Sequence, residues 1–503
     1  MQRALILATA LVIVLALLVN GLQFVQNRDL RQRLAARPPA AAAAPSADQT
    51  AKLDKLTADL NRYKLDFDKA FSEARRLREK AATLDTITNE RDALKIEVDA
   101  LRGENSQLKN DVQNLQAMNT INGSVSALRG QAALSSVPRS FMNRDQLRQY
   151  FTESYAREYS AEEEAADQVV LRALDMADEQ ANGDLRAQQI ESLADSVLGF
   201  YDHDTKQLVV VTRRPKIGVQ DRITYAHEFA HSLQDQHYGL TQLFARADGN
   251  ADYSRAIQAL VEGDATMTMW LYAQQDLTEM DMAKYQLEIV ADLDANALFG
   301  GGYSGPMVES AAAFPYQEGA EFAGGLYSLD GYDAISRAFA NPPRSTEQVI
   351  HPEKYFDGDE PVVVLLPNLV AALPGWKLVH ENTLGELYTR IYLEHALDFD
   401  TAIPAGTGWG GDRYQVLQNE QGQTALALRT AWDTSADADE FFDAYNRFIL
   451  SVGGANTALI EGGETSLRYQ LDGRQISLSR SGNQVLVLHA PDAATLDVLT
   501  AQF

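Results

Sequence analysis

The apolar positions change their spacing along the chain, and each change marks a predicted element. Residues 4–19, "ALILATALVIVLALLV", are uncharged and almost wholly apolar, and extended to Val25 they reach the ~20 residues that span a bilayer. The stretch "AARPPAAAAAPSAD" (35–48) has no period and suits a semi-stiff linker. Beyond it Leu53, Leu56, Leu60, Tyr63, Phe67, Ala70, Ala74, Leu77, Ala81 and Leu84 recur three and four apart, the seam of a coiled coil. A second seam runs through Leu94, Val98, Leu101, Asn105, Leu108, Val112 and Leu115. The step from Leu84 to Leu94 is one heptad plus three, a stammer that overwinds the coil locally. Asn105 at an a-type position favours a parallel homodimer in register. "INGSV" and "SSVPRS" are then read as ending the helix.

From about residue 135 the pattern is globular. Residues 145–195 read as mostly helical, and "GFYDHDTKQLVVVT" (199–212) reads as a hairpin, two β-rich runs around an Asp/Thr/Lys turn. A further helix is expected from about 253 to 290, and the Gly- and aromatic-rich "FGGGYSG" and "FPYQEG" are read as loops. After residue 360 strand patterns ("TALALRTAW", "QVLVLHA") alternate with helical ones ("ADADEFFDAYNRFI", "DAATLDVLTAQF"). The expected class is α+β, with an anchor over 1–25, a linker over 26–50, a coiled coil over 51–121, a catalytic-type domain over 135–360 and a C-terminal α+β region over 361–503.

Composition narrows the chemistry. Forty-four basic against seventy acidic residues give a net charge of −26, which argues against nucleic acid or an anionic membrane surface as partner. With no cysteine there is no disulfide, thiol nucleophile or thiolate metal site, so any metal must be held by His, Asp or Glu. No small-x-small cleavage signal lies just past the N-terminal apolar run, which is therefore read as a retained signal anchor holding the chain to the cell membrane in a single pass. Arg28, Arg31, Arg33 and Arg37 follow the run and only Arg3 precedes it, a count that places the bulk of the chain inside. The very short N-terminal tail argues for the opposite orientation, with the catalytic part outside the cytoplasm, and that orientation is the one expected here.

One stretch carries chemistry on its face. In "ITYAHEFAHSLQDQ" (223–236) His227 and His231 are four apart, one helical turn, and can present two imidazoles to one tetrahedral ion. Glu228, about 100° around the helix, reaches a water on that ion, while Ile223, Ala226, Ala230 and Leu233 form the opposing apolar stripe. A catalytic zinc needs a third protein ligand and an open position. There is no HxxGxxH extension, since His237 is six past His231 and the Gly is missing. Glu262, in the otherwise apolar "ALVEGDATMTMWLY" (259–272), is the preferred third ligand, because an unpaired carboxylate there would be costly to bury; Asp264 is the fallback. For an oxyanion donor the candidates are Tyr316 in "FPYQEG" and His351 in "PPRSTEQVIHPEKY". Strand 207–212, taken as a sheet edge, is expected to bind an extended peptide by strand addition.

"YAHEFAHSLQDQHYGL" followed by "LVEGDAT" resembles the gluzincin group of HExxH zinc metallopeptidases, and with the hairpin and "STEQVIHPEKY" the likeness extends to uncharacterised prokaryotic membrane-anchored or surface proteins. It covers roughly residues 195–355. It implies a zincin-like domain, a Zn2+ cofactor with His227, His231 and Glu262 as ligands, Glu228 as general base, and a protein or peptide substrate. Thermolysin-like gluzincins carry an Asp four residues after the ligand Glu to orient a histidine; here that position is Thr266, and Asp264 or Asp235 is left as the candidate for that orienting role. The alternative from another class is a non-catalytic, zinc-stabilised binding or envelope-assembly module on a coiled-coil stalk. A pure coiled-coil scaffold would make both Glu228 and Glu262 coincidences.

Overall fold

The computed structural model describes residues 47–176, 187, 190, 191, 194, 197, 199–211, 216–292, 306–471 and 473–503. The chain divides into two units, one ending at Gly103 and one running Glu104–Phe503. Among the described residues no helix is long and apolar enough to cross a membrane, and this corrects the single-pass membrane location expected from the sequence. The 1–25 run on which that expectation rested, nearly all of the 26–50 linker and the "FGGGYSG" segment lie outside the described residues.

The first helix, α1, is Ala47–Arg129. Its seam residues Leu56, Leu60, Tyr63, Phe67, Leu94, Leu101 and Leu108 are exposed. The expected break at "INGSV" does not occur. The last turns carry Met118, Ile121 and Val125, three and four apart, into a core with Leu208, Tyr225, Phe229 and Leu233, and that burial outweighs the poor helix propensity of Asn122, Gly123 and Ser124. The helix stops at Gly130, whose φ of 64° begins the reversal.

Next come β1 (Arg139–Met142), α2 (Arg144–Glu158) and α3 (Ala161–Ala173). Asn143 and Ser160 start the two helices with capping boxes, each side chain accepting from the third backbone N–H. The hairpin is β2 (Gly199–Asp202) and β3 (Gln207–Val211), and its turn is tied by Asp202, which accepts from the N–H groups of Asp204 and Thr205. The sheet order is β1-β3-β2, with β1 parallel and β2 antiparallel to β3. The strand expected to be an open edge is therefore the central one, paired on both sides and unable to take up a peptide. The short "RSFM" of β1 gave no alternation from which that pairing could be read.

The longer helices that follow among the described residues are α4 (Val219–Tyr238), α5 (Ala251–Asp276), α6 (Glu279–Asp292) and α7 (Pro306–Ala340), the last interrupted by non-helical backbone at Asp330 and Gly331. The expected 253–290 helix is thus two, divided at Leu277 and Thr278. "FPYQEG" is helical rather than a loop. Phe314 and Phe322 on α7 are buried with Ile257 and Leu260 of α5, so tertiary packing overrides the turn propensity of Pro315 and Gly319.

The short α8 (Thr346–Ile350) leads to the C-terminal region, where β4 (Trp376–Asn382), α9 (Gly385–Glu394), α10 (Phe399–Gly406), β5 (Trp409–Asn419) and β6 (Thr424–Trp432) precede α11 (Ser435–Gly453). It closes with β7 (Thr457–Gly462), β8 (Ser466–Leu471), β9 (Arg474–Ser481), β10 (Gln484–Ala490) and α12 (Ala493–Thr500). The seven strands form one antiparallel sheet of order β4-β5-β6-β10-β9-β8-β7. The core on one face joins Val416, Leu428 and Val487 of the sheet to Phe441, Tyr445 and Phe448 of α11. That on the other joins Leu417, Ala427 and Leu488 to Leu496 and Leu499 of α12. Helices and an antiparallel sheet segregated in this way make the chain α+β.

Buried acids join this sheet to the helices. Asp252, at the start of α5, accepts from the Thr346 N–H at 3.0 Å; Asp412 on β5 accepts from the N–H groups of Leu384 and Gly385 at 2.8 Å each. Burial pushes Asp252 up to about 8, with Asp412 and Glu347 adding to the rise against the Thr346 hydrogen bonds. It likewise pushes Glu347 up to about 7 and Asp412 up to about 6. Carboxyls raised above their unfolded values contribute stability at acid pH that is lost as pH climbs through the folded values. His489, held down to about 4 by burial, acts oppositely but only below its ordinary 6.5. The metal-free chain should therefore melt at progressively lower temperature from about pH 6.5 to about pH 8, and His231, brought up to about 9 against its burial by the carboxylates beside it, carries the same fall on to about pH 9. Asp252→Asn, which keeps an acceptor for Thr346, should flatten that slope in thermal melts; an equally steep slope in the variant would remove Asp252 as a cause.

Candidate metal centre

Helix α4 begins where Asp221 accepts from the Gly218 N–H at 2.6 Å and ends at Gly239. Its apolar stripe, Ile223, Ala226, Ala230 and Leu233, is buried with Tyr225 and Phe229. That anchors the helix so that His227, Glu228 and His231, each 8–9% exposed, face α5 and the hairpin. On α5, Asn250 caps the first turn and Glu262 points at the two imidazoles.

Three donor atoms converge. His227 Nε2 lies 3.1 Å and His231 Nε2 3.3 Å from the same oxygen, Glu262 Oε2, and the two nitrogens are 3.0 Å apart. Ligand atoms ~2.0–2.1 Å from a tetrahedral zinc stand about 3.3 Å from one another, so this triangle has the size the ion requires. The donor set, two neutral-capable imidazoles and a carboxylate with no thiolate, suits a catalytic rather than a structural zinc. Among the described residues this is the one cluster of three or more His, Asp or Glu close enough to hold a metal.

The charges are mutually adjusted. Burial alone would raise Glu262, but His231 and His227 hold it well below the usual carboxylate range. Burial works against protonation of His231, yet the Glu262 and Glu228 carboxylates and the Gln234 amide bring it up to about 9. Glu228 is raised by burial, with the Glu262 charge adding and the two histidines opposing. Its Oε2 accepts from the backbone N–H of Tyr201 on β2 at 2.9 Å.

Tyr316, on α7, is brought to the centre: its ring lies 6.1 Å from that of His227. The residue keeps 45% of its surface exposed, while burial of its hydroxyl end, then the Glu262 and Glu228 charges, raise the hydroxyl above its ordinary value. His351 is not brought there. Its Nε2 is 3.1 Å from Glu386, which also pairs with Arg390, and the Glu386 hydrogen bond is the first cause of its raised pKa. Asp235 is spent on the hairpin, accepting from the Tyr201 hydroxyl at 2.8 Å and Lys206 at 2.6 Å. Asp264 is no spare ligand either: wholly buried, it is bound by Arg129 and by Gln234. Sequence reasoning missed Tyr201, Gln234 and Arg129. Only the place of Gln234, three past His231 on the motif helix, offered a signal.

Residues 376–500, the C-terminal sheet with its helices, match a family described as Domain of unknown function (DUF8575). No curated protein and no solved structure matches the chain significantly.

Proposed function

We propose that the chain is a zinc-dependent hydrolase of peptide bonds, with a zincin-like catalytic domain of the gluzincin type over residues 135–360. The observation that supports this reading is the convergence of His227, His231 and Glu262, from two helices, on a triangle of tetrahedral size beside a buried fourth group, Glu228. When bound, zinc would polarise the scissile carbonyl and lower the pKa of a water at its open position. Glu228 takes the proton of the attacking water and passes it to the leaving amine. The Tyr201 N–H engages one of its oxygens and so fixes the carboxylate in place. Tyr316, held protonated, donates its hydroxyl hydrogen to the oxygen that gains charge as the carbonyl is attacked.

The full chain should retain close to one zinc after dialysis, and Glu262→Ala should lose most of it because two protein ligands remain. Elemental analysis measures both. Full retention by the variant would move the third ligand away from Glu262, and a zinc-loaded wild type that cleaves no unfolded protein would end the enzymatic reading.

A further inference from the structure

The orientation of one candidate ligand traces back to the end of the long helix. Gln234 is fully buried, and its Nε2 lies 2.7 Å from Asp264 Oδ2 and 2.9 Å from the Val261 carbonyl oxygen. A backbone carbonyl oxygen only accepts, so the end of the amide that meets Val261 and Asp264 is the NH2 group, and Oε1 is the atom 2.8 Å from His231 Nδ1. An amide oxygen only accepts. His231 Nδ1 therefore carries a hydrogen, and in the neutral ring the lone pair is on Nε2, the atom that faces His227 and Glu262. A flipped amide would offer its NH2 to Nδ1 and favour the opposite tautomer, with a hydrogen where a metal would bind.

What keeps the amide from flipping is the pair of acceptors at its NH2 end, the Val261 carbonyl oxygen and Asp264, and what holds the Asp264 carboxyl in place is Arg129. The guanidinium pairs with Asp264 Oδ1, and both side chains are wholly buried. Arg129 also donates to Gln131 Oε1 at 3.2 Å and stacks 4.8 Å over the Tyr332 ring, whose hydroxyl is 3.0 Å from Thr268. This is the last residue of α1, so the seating of that helix end and the aim of His231 are linked through three side chains.

We infer that Gln234, Asp264 and Arg129 are positioning residues that set the metal-binding tautomer of His231, Gln234 by direct contact, Asp264 by orienting the amide, and Arg129 by holding the Asp264 carboxyl in place. The inference rests on the zinc reading above but not on any hydrolytic activity. Partners of this kind are worth about 10–100-fold in metal affinity.

The test is the zinc dissociation constant of the full chain, by competition with a chromophoric chelator, beside thermal melts of the metal-free protein. Gln234→Leu should bind zinc about 10–100-fold more weakly, and so should Arg129→Met. Two charge-neutral double variants separate positioning from packing. Arg129→Met with Asp264→Asn keeps the side-chain acceptor for the Gln234 amide and should return to within about threefold of wild type, whereas Arg129→Met with Asp264→Leu leaves that amide the Val261 carbonyl oxygen alone and should stay weak. Equal affinities of the two doubles at comparable melting temperatures, or a Gln234→Leu affinity within about threefold of wild type, would overturn the assignment. A wild-type chain that takes up no zinc would instead overturn the metal reading itself.

Discussion

Glu228→Gln is expected to leave the chain folded and zinc-loaded while lowering peptide hydrolysis by about two to four orders of magnitude. Gln has the shape of Glu, and its amide oxygen can still accept from the Tyr201 N–H that now lies 2.9 Å from Oε2. The substitution even removes a burial cost, because Glu228 is only 9% exposed and stands near the Glu262 charge. What Gln cannot do is take a proton from water. His227→Ala should behave differently, losing metal and activity together, since its Nε2 is one of the three converging donors. Zinc content and the rate of cleavage of an unfolded protein, measured on the same preparations, separate the two outcomes. If Glu228→Gln cleaves within about tenfold of wild type, Glu228 is not the base.

How much of this was legible in the sequence depended on how local the signal was. The spacing of His227, Glu228 and His231 is a property of one helix, and the apolar stripe that buries its back is readable in the same window. Glu262 was legible for a thermodynamic reason: a single carboxylate in an apolar helix must find a compensating partner, and the structure sets it against the two histidines. Tyr316 was singled out on a segment taken for a loop. The segment is helical, and helix packing delivers the ring to His227. His351 looked equally eligible, yet it is committed to Glu386, a partner thirty-five residues away that no local pattern announces. The same limit hid Arg129 and Tyr201. Their roles come from contacts with Asp264 and Glu228 across long stretches of chain, and the residues themselves look ordinary, an Arg in a charged helix and a Tyr in a strand. The place of β3 was misread because sheet order depends on which strands meet, and a four-residue strand carries too little alternation to say.

Gly263→Ala is expected to damage both stability and the metal centre, through backbone alone. Gly263 directly follows Glu262 on α5, and a Cβ built on it would lie within van der Waals overlap of the Gly319 carbonyl group of α7, 2.2 Å from its carbon. The approach is reciprocal, since a Cβ on Gly319 would lie 2.3 Å from the Ala259 carbonyl oxygen. Backbone atoms cannot rotate out of the way as a flexible side chain can, so the two helices must separate. Overpacking of this kind costs typically ~1–3 kcal/mol and more when backbone has to move. Alanine's better helix propensity, ~1 kcal/mol over glycine, offsets only part of that. The clash falls on the residue next to Glu262, and an α5 pushed from its seat against α7 carries Glu262 out of register with His227 and His231 on α4, so zinc affinity should fall along with the melting temperature. Gly324→Ala supplies the control on the same helix α7: nothing lies within 4 Å of where its Cβ would stand, and that variant should be neutral or slightly stabilising with zinc affinity unchanged. Thermal melts and chelator competition on the wild type and both variants decide the matter. A Gly263→Ala chain that melts and binds zinc as Gly324→Ala does would show that α5 and α7 do not need this close approach.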